Sequence, residues 1–184
     1  MIYDNNNWIN ICDGVSKISK NIVPYIKQRK VLSGVISNIF ETYSAEYFNK
    51  NNIKTKSSAN DREPDLFFIE ENFSCEIKVT GVDSNDIHKK VTWMGGRYCK
   101  RSSDHLFIMW NYSPDRQTLF GIEKAHFSYF ILKTFVSHDE WTELSNSKDY
   151  YALGFNSALF KDKKINTLVG DYKNGHFTLE KFYT

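Results

Sequence analysis

Apolar positions recur with helical spacing at the start of the chain and with strand spacing after it. Ile11, Val15, Ile18 and Ile22 stand three or four residues apart. That spacing predicts a mostly helical opening over Ile9 to Lys30, which Pro24 ends or kinks. The clearest helix is Val31 to Lys50. Leu32, Ile36, Ile39, Phe40, Tyr43 and Tyr47 share one face of it, and Gly34, Ser37, Glu41, Ser44, Ala45 and Phe48 share the other. The second face is small and partly apolar, so the helix is expected to pack on both sides. Asn49 to Asn52 supplies its stop.

A polar stretch, Lys54 to Glu63, comes next and reads as a connection. Two strands are then predicted, Asp65 to Glu70 and Phe73 to Thr80. The second alternates: Phe73, Cys75, Ile77 and Val79 point one way, while Ser74, Glu76, Lys78 and Thr80 point the other. Glu70-Glu71-Asn72 is short enough for a hairpin, so the pair is expected to be antiparallel.

Farther on, Asp86 to Met94 reads as a short helix broken at Gly95-Gly96, and Arg97 to Asp104 as an exposed basic loop. His105 to Tyr112 is a buried strand and Thr118 to Glu123 a further strand. Phe127 to Phe135 fits either a helix or a strand. His138 to Leu144 fits a helix that Ser137 would cap. The last forty residues should alternate short strands and turns. No repeat or low-complexity tract interrupts the 184 residues, so one domain is expected.

The net charge of +2 is too small to announce nucleic acid by itself, and it does not exclude a basic groove offset by an acidic site. The three cysteines, Cys12, Cys75 and Cys99, are odd in number and lack CxxC spacing. A disulfide framework and a zinc site are therefore not expected, and a reducing cytoplasm is the expected compartment. Met1 to Ile11 has no apolar core of a signal peptide, and no apolar run reaches transmembrane length.

The informative pattern lies on the second predicted strand. Glu76 and Lys78 project from one face, roughly 6.5–7 Å apart at the backbone. Carboxylate and amine are costly to bury unless they are paired or bind something. Asp65 begins the neighbouring strand and can lie across the ladder from Glu76. Two carboxylates at one opening suit Mg²⁺, with waters and a substrate phosphate completing the octahedron. Such an ion lowers the pKa of a bound water and offsets charge on a phosphoryl group. Lys78 can stabilise developing negative charge. The carboxylates beside it would keep it charged, which argues against a base role in the resting site.

Glu63-Pro64-Asp65, ten residues, then Glu76-Ile77-Lys78 resembles the PD-(D/E)XK motif of type II restriction endonucleases and archaeal Holliday-junction resolvases. The letters alone are weak, but helix, hairpin and later strand follow the same order over roughly Val31 to Tyr112. The resemblance implies an α/β fold with a restriction-endonuclease-like core, a central mixed β-sheet flanked by helices. Residues 113–184 would complete the sheet and supply recognition or dimerisation elements. The resemblance also implies Asp65, Glu76 and Lys78 as catalytic residues, with Asp65 and Glu76 holding Mg²⁺. It adds an acid from the preceding helix: Glu41, with Glu46 as its rival.

The implied activity is Mg²⁺-dependent, site-specific cleavage of double-stranded DNA by a homodimer, with a cognate DNA methyltransferase encoded separately. A repair or junction-resolving nuclease and a non-catalytic DNA-binding module are the alternatives. Arg97, Lys100 and Arg101 in the basic loop, and Lys89 and Lys90 before it, are candidate DNA contacts, weighed against solvated surface. Lys161 to Lys164 fits a solvated face better. His88, His105, His126, His138 and His176 are scattered without zinc-like company and read as structural. No GxSxG setting or P-loop is present.

Overall fold

A computed structural model describes residues 4–22, 25–26, 29–58, 60, 63–83, 92–95, 103–112, 128–133, 151–154, 166–173 and 176–181. The architecture is α/β. Helix α1 spans Asn5–Ile22 and α2 spans Arg29–Lys50. The first helix thus begins four residues earlier than its apolar period suggests. The cause is Asp4, whose Oδ1 accepts the Asn6 N–H at 2.9 Å and caps the helix. The expected single opening from Ile9 to Lys30 is two helical segments, with α1 stopping two residues before Pro24.

Strands β1 (Thr55–Ser57), β2 (Leu66–Phe68), β3 (Phe73–Asp83) and β5 (Asp104–Tyr112) follow α2, with β4 (Thr92–Gly95) between the last two. Strands β6 (Ser128–Lys133), β7 (Tyr151–Gly154), β8 (Asn166–Lys173) and β9 (His176–Lys181) complete the described elements. The main sheet runs β1-β2-β3-β5-β6-β8-β9, and β4 pairs with β7 in a separate ribbon. The main sheet is mixed: β3 and β5 are parallel, and the other neighbouring pairs among the described strands are antiparallel. Parallel neighbours need a crossover, which the chain between Asp83 and Asp104 supplies.

Several expectations are corrected. The polar stretch after α2 contains β1, whose Thr55 is held by a side chain rather than by hydrophobic pattern. Asn49 Oδ1 accepts the Thr55 N–H at 2.9 Å, and Asn49 Nδ2 donates to the Thr55 carbonyl at 2.7 Å. The helix expected to reach Met94 gives way to β4 at Thr92, because Thr92 to Gly95 pairs with β7. The loop expected to reach Asp104 ends sooner: Ser103 is buried and Asp104 opens β5. Phe127 to Phe135, read as helix or strand, contains β6. The strand expected at Thr118 to Glu123 and the helix at His138 to Leu144 lie outside the described residues.

One core joins the helices to the sheet. Trp8, Ile11, Val15, Leu32, Ile36, Phe40 and Phe48 are fully buried with Leu66, Phe68, Cys75 and Leu106. Phe48 is the hinge of this packing, edge-on to Trp8 at 5.5 Å and to Phe68 at 5.0 Å. Buried Ser44, Ala45 and Phe48 bear out packing on the second face of α2. The helix closes as a Schellman motif. Asn52 takes a φ of 62°, and the Ile53 and Asn52 N–H groups donate to the Phe48 and Asn49 carbonyls at 2.9 and 3.1 Å.

The two helices meet closely at Gly14, where an added Cβ would overlap the Tyr43 ring. Gly14→Ala is therefore expected to cost about 1–3 kcal/mol through overpacking. A lower urea midpoint at unchanged slope would register it; an unchanged midpoint would mean that Tyr43 swings clear at no cost. Among the described residues, no helix is long and apolar enough to cross a membrane.

Candidate active site

The β2–β3 hairpin sets the geometry. Leu66 pairs with Cys75, Phe67 with Ser74 and Phe68 with Phe73. Its turn is closed by Asn72, at a φ of 48°, a conformation Asn tolerates. Continuing the register by one pair brings Asp65 opposite Glu76. Asp65 is anchored there: its Oδ2 accepts the Ile77 N–H at 2.6 Å.

Strand alternation sends Cys75 and Ile77 into the core, where both are essentially inaccessible. Glu76 and Lys78 take the other face. Their side chains keep only 16% and 14% exposure, and Lys78 Nζ donates to Glu76 Oε1 at 2.5 Å. A largely dehydrated ion pair is a weak source of stability, because desolvation offsets much of the attraction.

Glu41 belongs to the same electrostatic group. Burial raises its carboxyl pKa, the Ser37 hydroxyl bound at 2.9 Å lowers it, and Glu76 and Lys78 push in opposite directions. Asp65 is affected most. Burial, then the charges of Glu76 and Glu41, raise its pKa to about 7, against the opposing pull of Lys78 and the Ile77 N–H. Glu46, the rival acid, is turned away: it is exposed and pairs with Lys50 at 3.9 Å. Its place beside the apolar stripe did not bring it to the hairpin, because α2 presents Glu41 to the hairpin charges instead.

No family model, curated protein or solved structure matches the chain.

His105, without zinc-like company in the sequence, is expected to be structural. It is buried, its ring is 6.2 Å from that of Phe107 in a stacked arrangement, and its register partner on β3 is Glu76. Parallel partners share a face, so His105 lies beside the acidic pair. Only strand register reveals this, and a parallel register across a crossover leaves no mark in sequence spacing. Cys75 lies in the core as expected, where burial pushes its thiol well above the ordinary range and leaves it unreactive. The candidate DNA contacts Lys89, Lys90, Arg97, Lys100 and Arg101 lie outside the described residues.

Two carboxylates with Glu41 nearby form an oxygen-donor set of the kind Mg²⁺ prefers. Among the described residues no three Asp, Glu, His or Cys side chains close around a single point. The fit is therefore to an ion held by one or two carboxylates that keeps several waters. Burial and the neighbouring charges of Glu76 and Glu41 raise the Asp65 pKa, and a bound cation would oppose that rise.

Proposed function

We propose that this chain is a Mg²⁺-dependent DNA endonuclease of PD-(D/E)XK type, acting as a homodimeric type II restriction enzyme on double-stranded DNA. The observation that carries this reading is the convergence of Asp65, Glu76, Lys78 and Glu41 from an antiparallel hairpin and the helix before it. The element order supports the finer fold reading, a restriction-endonuclease-like core: helix α2, the motif hairpin, a crossover, then β5 beside β3. A two-fold dimer suits a palindromic site cut on both strands.

Asp65 and Glu76 would hold Mg²⁺, which when bound supplies an acidified water and offsets negative charge on the phosphate. The chain's own residues do the rest. The Ile77 N–H fixes one Asp65 oxygen and thereby orients the carboxylate. Glu76 holds the Lys78 ammonium at the same opening, where it can donate to a phosphate oxygen or to the attacking water. While Lys78 donates to Glu76 it is poorly placed to remove a proton. Glu41, paired with Ser37, tunes the charge that the other carboxylates feel.

The test is to incubate the protein with long duplex DNA in Mg²⁺ or EDTA, beside Asp65→Ala. Discrete fragments that require Mg²⁺ are expected, with Asp65→Ala slower by about 10³-fold or more. Cleavage confined to branched DNA would move the reading to a junction-resolving nuclease. Binding without metal-dependent cleavage of any DNA would leave a non-catalytic module.

A further inference from the structure

A hollow of about 410 Å³ opens on the sheet beside the acidic group, lined by Lys56, Ser58, Glu63, Pro64, Phe67 and Ser74 among others. Register explains its composition. Lys56 pairs with Phe67 across β1–β2, and Phe67 with Ser74 across β2–β3, so all three share one face. That face is the one carrying Asp65 and Glu76, displaced along the strands by two residues, roughly 6.5–7 Å. Ser74 Oγ lies 3.0 Å from Ser103 Oγ and closes the row toward β5.

The anomaly is Phe67. Its neighbours in β2, Leu66 and Phe68, are fully buried, while Phe67 on the opposite face is only half-buried and walls the hollow. The ring remains partly exposed between a lysine and serines. Such a ring suits a planar ligand that stacks on it. Lys56 is exposed on the same row and supplies a cation. On the rim, Glu63 accepts the Ser58 hydroxyl at 2.6 Å, and its carboxylate disfavours a phosphate there while suiting an amino group. The volume lies within the range of small-molecule sites and fits a single nucleotide.

We infer that this hollow seats the nucleotide adjoining the scissile phosphate, with its base stacked on Phe67 and its phosphate drawn to Lys56. The inference rests on the nuclease reading for the place of the scissile phosphate. It adds a binding subsite made by residues that reading does not use. Stacking on an aromatic ring is tolerant of base identity, so the subsite contributes affinity and strand placement more than sequence choice.

The experiment measures fluorescence anisotropy of labelled single-stranded, nicked and duplex oligonucleotides of mixed sequence in EDTA. Cleavage of long duplex DNA in Mg²⁺ is followed in parallel. Phe67→Ala is expected to weaken binding about 10-fold or more, in line with the loss of one base-stacking contact, and to raise KM at unchanged kcat. Phe67→Tyr should retain binding and Phe67→Leu should not, which separates stacking from bulk. Lys56→Ala, at an exposed position where folding is not at stake, should lower the salt slope of binding by about one.

Wild-type binding by Lys56→Ala and Phe67→Leu overturns the inference, while Asp65-dependent cleavage in the same samples would leave the catalytic reading standing. Weakened binding by both variants, in a protein that cleaves nothing, supports a nucleotide site in the hollow but sinks the catalytic reading and the site's place beside a scissile phosphate. A wild-type protein that binds no oligonucleotide overturns both.

Discussion

Without metal at pH 7.5, Asp65→Asn is expected to be more stable than the wild-type protein, and with Mg²⁺ it is expected to cleave no DNA. The sign follows from the direction of the shift. Asp65 titrates at about 7 in the folded chain against an ordinary value of 3.8. Between those two values the folded state holds a proton that the unfolded state has released, so stability falls as pH rises. This contribution is fully present below about pH 4 and is lost as pH climbs through 7. A rise from 3.8 to about 7 corresponds to at most roughly 4 kcal/mol, and Glu41, raised chiefly by burial as well, acts in the same direction.

Asparagine resembles the protonated acid and keeps an oxygen for the Ile77 N–H. The gap between Asp65→Asn and wild type should thus be near zero at pH 4 and reach roughly 2–4 kcal/mol above pH 7. For a chain of this length that is about 5–15 °C in melting temperature. Calorimetry across this range, with and without Mg²⁺, measures it. Mg²⁺ should raise the melting temperature of the wild type more as pH rises and leave Asp65→Asn unmoved. Parallel pH profiles for the two proteins would show that Asp65 carries no strained charge and would remove the electrostatic case for a cation there.

That strain was only partly legible in the sequence. Alternation along Phe73 to Thr80 places Glu76 and Lys78 on one face, and the short turn predicts the antiparallel partner that brings Asp65 alongside. Both are local, period-two arguments, and both agree with the observed register. The choice between Glu41 and Glu46 was not decidable that way. Glu46 borders the apolar stripe of α2 and Glu41 lies on the opposite face, and only the packing of the helix against β3 tells which acid reaches the hairpin. The β1 strand escaped notice because its cause is a single Asn49–Thr55 amide pairing inside a polar stretch. His105 and the Lys56–Phe67–Ser74 row depend on register between strands far apart in the chain, which composition and spacing do not encode. The charge balance was similarly silent: a net charge of +2 records the sum of an acidic site and its surroundings, not their arrangement.

The second large effect concerns the ion pair. Glu76→Ala is expected to destabilise the protein by about 1–3 kcal/mol, because it removes the carboxylate to which the largely dehydrated Lys78 ammonium donates. Lys78→Met should slow cleavage by roughly 10²–10³-fold, the loss typical of a missing donor to a developing anion. It should also act on the remaining acids. Lys78 lowers the pKa of both Asp65 and Glu41, so its removal drives both higher. The pH at which stability is lost must then move above 7, a shift that loss of packing alone would not cause. The double variant Glu76→Gln/Lys78→Met removes both charges at similar volume and should recover most of the stability lost in Glu76→Ala while staying inactive. Equal stability of Glu76→Ala and the double variant would mean that Lys78 does not depend on Glu76. The 2.5 Å contact would then be a surface pairing without consequence, and the donor role given to Lys78 would lose its structural basis.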